Sequence, residues 1–173
     1  NPSRIPANAP YQFSNMWPKL PQPWYFQGTA GIGIDHEGSF YVLSSNRIHK
    51  FNKYGEFLFS IGKDAYYDEK SGQYITPNEA LYYPWEIVFD SVNNFYVMTE
   101  KGIKRFDKNG NFINDVKRKS NGYELMIVGN DIAMDFKDNI YVTNQYMVWK
   151  FDKNGNLLKS WGKQGTNDGE FVK

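Results

Sequence analysis

Apolar residues in this chain come in short runs separated by clusters of Asp, Asn, Gly and Lys. The stretch from Asp131 reads DIAMD, FKDN, IYVTN, QY, MVWKF, DKNG, NLLKSWG. Runs rich in Ile, Val, Tyr, Phe and Trp, closed by turn residues, predict β-strands. No stretch holds apolar residues at helical spacing over the length a helix needs. The same pattern occurs three times, beginning at Gly31, Glu86 and Asp131. Asp35, Asp90 and Asp135 share one register, as do Tyr41, Tyr96 and Tyr141. Phe51, Phe106 and Phe151 keep the same spacing, and so do Gly55, Gly110 and Gly155. The first step is 55 residues and the second 45, so the first interval carries an insertion of ten. Copies of about 45 residues with four short strands are the unit of a β-propeller. The expected fold is all-β, with four-stranded antiparallel blades at about 31–62, 86–116 and 131–162.

The turn FDKNGN at Phe106–Asn111 returns at Phe151–Asn156, with FNKYGE at Phe51–Glu56. A helix–loop–helix calcium loop needs D-x-[DN]-x-[DN]-G and a glutamate at position twelve. Here the glycine comes too early, so the motif reads as a hairpin turn. Asn-Gly between strands predicts a two-residue turn with both central residues at positive φ. Asp107 and Asp152 are expected to accept local backbone amides.

These copies resemble the NHL repeat, in the form found in bacterial six-bladed propellers. The residues that carry the likeness are GIGID, EGSFYV, NRIHKF and NKYGEF in the first copy, with altered versions in the later two. The resemblance covers residues 28 to 173. GKQGTNDGEF at the end looks like a linker into a fourth repeat. The resemblance implies an arginine at the position of Arg47, where the later copies have Gly102 and Met147. It also implies glycine at the start of each inner strand, where this chain has Gly31, Glu86 and Asp131. Three blades do not close a ring. Two open faces of about 500 Å² each would forfeit about 12 kcal/mol apiece. The expectation is therefore a partial chain of a six-bladed ring, or blades completed by another chain.

Composition narrows the function. Twenty Lys and Arg against 19 Asp and Glu leave the 173-residue chain near neutral, so a field for nucleic acid is absent. There is no Cys, hence no disulfide or thiolate metal site. No apolar run is long enough to span a membrane as a helix. The chain begins at Asn1, which fits a removed export signal and an extracellular or periplasmic location. Residues 1–27 hold six of the eight prolines, with Trp17, Trp24, Tyr25 and Phe26. This segment is expected to be an extended arm clasping the propeller or a neighbour.

Blade geometry puts the loops between blades on one face and the D-x-x-G turns on the other. The first face carries the insertion Asp64–Trp85, with Tyr66, Tyr67, Tyr74, Tyr82, Tyr83 and Trp85. Exposed aromatics of this kind suit protein or carbohydrate contact; the competing reading has them covering a blade edge. These residues and Arg47 are the candidate binding set. Lys117–Ser120, KRKS, reads as a solvated linker, though some NHL propellers bind RNA on a basic face. Glu86 and Asp131 occupy one repeat position at the channel mouth. Propeller lactonases and lyases bind a divalent metal near such a mouth, and carboxylates suit calcium or magnesium. Two carboxylates fall short of a ligand set; His36 is placed in a turn and His49 on a solvent-facing strand position. No G-x-S-x-G, H-E-x-x-H or phosphate loop is present, so no catalytic residue is assigned. The leading expectation is a non-catalytic binding scaffold without a cofactor. A metal-dependent enzyme is the alternative, and an RNA-binding propeller the third.

Overall fold

The computed structural model describes residue 26 and residues 28–64, 66–120 and 123–172; at 66, 67, 119 and 120 it describes the backbone. The first sheet runs β1 (Thr29–Ile34), β2 (Phe40–Ser44), β3 (Arg47–Phe51), β4 (Phe57–Ile61), in chain order. The insertion forms a separate hairpin, β5 (Tyr66–Asp68) with β6 (Gln73–Ile75). The second sheet contains β7 (Glu86–Phe89), β8 (Phe95–Thr99), β9 (Gly102–Phe106), β10 (Phe112–Ser120) and β11 (Tyr123–Met126). The third contains β12 (Asp131–Met134), β13 (Ile140–Thr143), β14 (Val148–Phe151) and β15 (Leu157–Trp161). All pairings inside these sheets are antiparallel, and no helix occurs among the described residues. The inner strand β7 packs beside both β1 and β12.

Equivalent residues pair in equivalent ways. Phe40 faces Phe51, Phe95 faces Phe106 and Ile140 faces Phe151. Strand alternation gives each blade two apolar faces, and neighbouring blades bury them together. Tyr41, Leu43 and Ile48 of the first blade meet Ile87, Phe95, Val97 and Phe106 of the second. Tyr96, Met98 and Ile103 meet Ile132, Ile140, Val142 and Phe151 in the same manner. Fully buried aromatics such as Tyr41, Phe95 and Phe151 each contribute about 1.5–3 kcal/mol.

Three sequence expectations need correction. First, the glycine alone of each D/N-x-x-G turn has positive φ: Gly55 at 86°, Gly110 at 88° and Gly155 at 84°. Asn109 and Asn154 do not share it, and the ladder shifts register beside each turn. The turn is therefore a type I turn closed by a glycine bulge, which matches strand twist with one left-handed residue where the two-residue turn needs two. Second, Lys117–Ser120 is no linker but the second half of the long β10, paired to β11 from Lys117↔Met126 to Ser120↔Tyr123. Third, His49 is buried. It lies on the face opposite Lys50, and Phe26 packs edge-on against His49 and Phe51 at centroid distances of 5.7 and 6.2 Å. Phe26 is the described residue of the N-terminal arm; residues 1–25 and 27, with Trp17, Trp24 and Tyr25, lie outside the described residues.

Candidate functional site

Each blade builds a related polar cluster from its first turn upward, although in the second the buried Tyr96 hydroxyl has no hydrogen-bond partner among the described residues. Asp35, Asp90 and Asp135 begin the turns between inner and second strands. Asp35 Oδ1 accepts the amides of Glu37 and Ser39 at 3.0 and 2.8 Å, and Asp135 Oδ1 accepts those of Lys137 and Asn139 at 2.9 and 3.0 Å. The second carboxylate oxygen faces the blade. Asp135 Oδ2 accepts from the Tyr141 hydroxyl at 3.0 Å and from Lys150 Nζ at 3.1 Å. In the first blade the Tyr41 hydroxyl donates to Asp35 Oδ2 at 3.3 Å, and Lys50 Nζ stands 3.3 Å from the same oxygen. In the second, Arg105 donates to Asp90 Oδ2 at 3.3 Å. Sequence reading found the Asp and Tyr of this cluster and missed the cation. The signal was there: Lys50, Arg105 and Lys150 keep the same steps of 55 and 45.

The cluster orders protonation. Burial, then the Asp35 charge, pushes the Tyr41 phenol well above its usual range. Burial lifts Tyr96 to about 12, with Arg105 opposing and Asp90 adding. Burial raises the Asp135 carboxyl, but hydrogen bonds from Asn139 and Lys150 outweigh it and hold the group well below the carboxylate range. In the first two blades Asp35 and Asp90 are buried beside a tyrosine and a cation, a structural clamp, since a paired buried charge is costly to strip of its partner.

The opposite end of the blades carries the predicted binding residues, and the structure divides them. Tyr74 is 79% exposed and Tyr83 is 67% exposed. Tyr83 has φ of 46°, unusual for a bulky side chain, and its amide donates to Asn46 Oδ1 at 3.3 Å. Tyr82 is half-buried; its hydroxyl donates to Thr76 Oγ1 at 3.3 Å and Lys101 Nζ stands 5.6 Å from its ring centre. Trp85 packs on the core between the second and third blades, with Nε1 donating to Asn130 O at 2.9 Å. Arg47 pairs with Asp64 at 2.8 Å across the foot of the insertion. The side chains of Tyr66 and Tyr67 lie outside the described residues. The insertion is anchored at its far end by buried Ala80 and Leu81, and by Lys104 Nζ donating to Asn78 O at 2.9 Å.

Glu86 and Asp131 start neighbouring inner strands. Burial raises the Glu86 carboxyl, its bond to the Ile87 amide lowers it, and the Asp131 charge raises it again. No group of three or more His, Cys, Asp or Glu is arranged to hold a metal among the described residues.

Consecutive antiparallel blades with inner strands side by side define a β-propeller, and this chain supplies three of its blades. Among solved structures the chain is similar to streptogramin B lyase, at 13% identity and a TM-score of 0.50. That match covers 83% of this chain and 43% of the other, so the chain spans less than half the length of the structure it resembles. No protein-family model and no curated protein matches the sequence. At this identity the likeness establishes the fold.

Proposed function

We propose that the chain is part of an NHL-type propeller acting as a non-catalytic scaffold, exported from a bacterial cell, that binds protein or carbohydrate. The observation that carries this reading is the pair Tyr74 and Tyr83, both strongly exposed on the Asp64–Trp85 insertion, which makes its interval ten residues longer than the other. Solvent-facing tyrosines on an anchored loop offer flat, amphipathic contact area at low entropic cost. The strained backbone of Tyr83 supports the same reading, because such conformations gather at ligand sites. A second reading, a metal-dependent enzyme, rests on Glu86 and Asp131 standing at the starts of neighbouring inner strands. Two carboxylates are few for calcium, which takes about six to eight oxygens. RNA binding loses support, since Lys117 of the basic run pairs with Glu124 at 3.4 Å within a hairpin.

The test is a glycan array probed with the parent chain and with a Tyr74→Ser/Tyr83→Ser variant. Glycans held by the parent and lost by the variant support the carbohydrate form of the reading. Binding equal in both moves the site away from the insertion. A blank array in both leaves protein as the ligand class, which proximity labelling from a cysteine at position 74 then addresses.

A further inference from the structure

One position on the third strand of each blade is covered in three different ways. His49, Lys104 and Trp149 are equivalent, paired with Val42, Val97 and Val142, and Phe51, Phe106 and Phe151 follow two residues on. In the first blade an aromatic ring sits there, since Phe26 packs edge-on against both His49 and Phe51. In the second, Lys104 reaches the preceding segment and donates to Asn78 O at 2.9 Å and to Asp115 at 2.8 Å. In the third, nothing among the described residues fills the place. Trp149 and Phe151 line a cavity of about 240 Å³, and Arg118, Met126, Ile127 and Val128 close it from the second-blade side.

The sequence explains the space. Phe51 stacks on Phe40 and meets Phe57 edge-on, and Phe106 does the same with Phe95 and Phe112. At the matching places the third blade has Ile140 and Leu157, so Phe151 has no ring neighbour among the described residues. The walls are held firmly. A Cβ on Gly102 would stand 2.8 Å from Met126 Cε and 3.2 Å from Ile127 O, and Gly129 is pressed on Val142 and the Thr143 carbonyl. The segment between is thus anchored at both ends, and Ile127 is buried.

The cavity also has a charged wall. Arg118 makes no hydrogen bond or ion pair among the described residues, whereas its neighbour Lys117 is paired with Glu124. Trp149 Nε1 has no acceptor among the described residues either. An apolar pocket with an unpaired guanidinium suits an apolar body that carries an anion, because the planar fork matches a carboxylate. The volume falls below the roughly 300–1,000 Å³ of drug-sized sites, which limits the guest to one ring with a short side chain. The first blade shows which body fits, since its equivalent place takes a phenyl ring.

We propose that this cavity is a binding site for a small aromatic carboxylate. Its ring lies against Trp149 and Phe151, as Phe26 lies against His49 and Phe51, and its carboxylate is held by Arg118. The site stands between the second and third blades and is independent of the insertion tyrosines.

Titration calorimetry with 3-phenylpropanoate is the test, run beside its neutral amide and beside octanoate. The acid is expected to bind the parent with Kd on the order of 0.1–1 mM, as suits a ligand of about eleven heavy atoms. Arg118→Gln, and the amide on the parent, should each weaken binding about tenfold or more, the worth of a charge-assisted pair. Val128→Phe sets a ring at the cavity wall and should abolish binding, with its melting curve showing an intact fold. Tyr74→Ser/Tyr83→Ser should bind as the parent does. A parent that binds no acid at about 10 mM overturns the proposal; if Val128→Phe then raises the melting temperature, the cavity is a packing gap only. An amide that binds as tightly as the acid overturns the anion site, and octanoate binding as tightly overturns the aromatic assignment. Binding unchanged in both Arg118→Gln and Val128→Phe places the acid elsewhere and overturns the proposal as well.

Discussion

Asp138 of the third blade grips Ser91 of the second with both carboxylate oxygens, Oδ1 from the amide and Oδ2 from the hydroxyl, each at 2.8 Å. Asp138 does so from a left-handed backbone with φ of 60°, a conformation that Asp tolerates better than most residues. Asp138→Ala removes both bonds and leaves a strained alanine, and is expected to cost about 1–3 kcal/mol. Asp138→Gly relieves the backbone and loses only the bonds. Urea unfolding that ranks parent, Gly and Ala in falling stability confirms an interblade clip; Ala equal to the parent removes it.

Gly155 and Gly169 both have positive φ, 84° and 79°, yet only Gly155 is pressed against another blade. Nothing lies within 4 Å of a Cβ on Gly169. Gly169→Ala should therefore cost about 1–2 kcal/mol from conformation alone. Gly155→Ala should cost about 1–3 kcal/mol more, because the strand carrying Lys117 must move. Equal losses in thermal unfolding would mean the turn does not bear on the second blade.

Acid should undo the third-blade cluster. The Asp135 carboxyl is held low in the fold, so its contribution is fully present above the ordinary Asp value of about 4 and is lost as pH falls through the lower folded value. The melting temperature of the parent should exceed that of Asp135→Asn at neutral pH. The two curves should converge as pH drops below about 4. A gap that persists at the lowest pH would assign the effect to shape and not to charge.

Glu86 carries the opposite sign. Its folded carboxyl is raised, first by burial, so ionisation costs stability as pH climbs past the ordinary Glu value of about 4.3. Glu86→Gln is expected to raise the melting temperature at pH 7 and to change it little near pH 3. Asp131→Asn should recover part of the same gain. A loss of stability in Glu86→Gln at pH 7 would show that the charged form has a partner.

Calcium decides between the scaffold and the metal-enzyme readings. The expected outcome is an unchanged melting temperature for the parent and for Glu86→Ala/Asp131→Ala over a calcium titration. A rise in the parent that the double variant loses would promote the enzyme, since a ligand that binds only the folded state stabilises it.

Local pattern carried the strands, the three-copy repeat, the ten-residue insertion and the aspartates that cap the turns. Each of these depends on neighbours a few residues away: β-branched and aromatic runs pair, and an Asp or Asn side chain folds back on the next amides. What depended on contact between blades was not legible. FDKNGN showed a turn, but its single left-handed glycine follows from twist and from the strand it presses on. KRKS looked like a polar linker, because strand pairing with Tyr123–Met126 adds an outer fifth strand that charge pattern does not announce. His49 looked solvent-facing by alternation, yet Phe26 lies over that face. The insertion's aromatics were visible as a set. Only packing separated Trp85, tied to Asn130, from Tyr74 and Tyr83, which remain in solvent, because burial is decided by what a neighbouring blade covers.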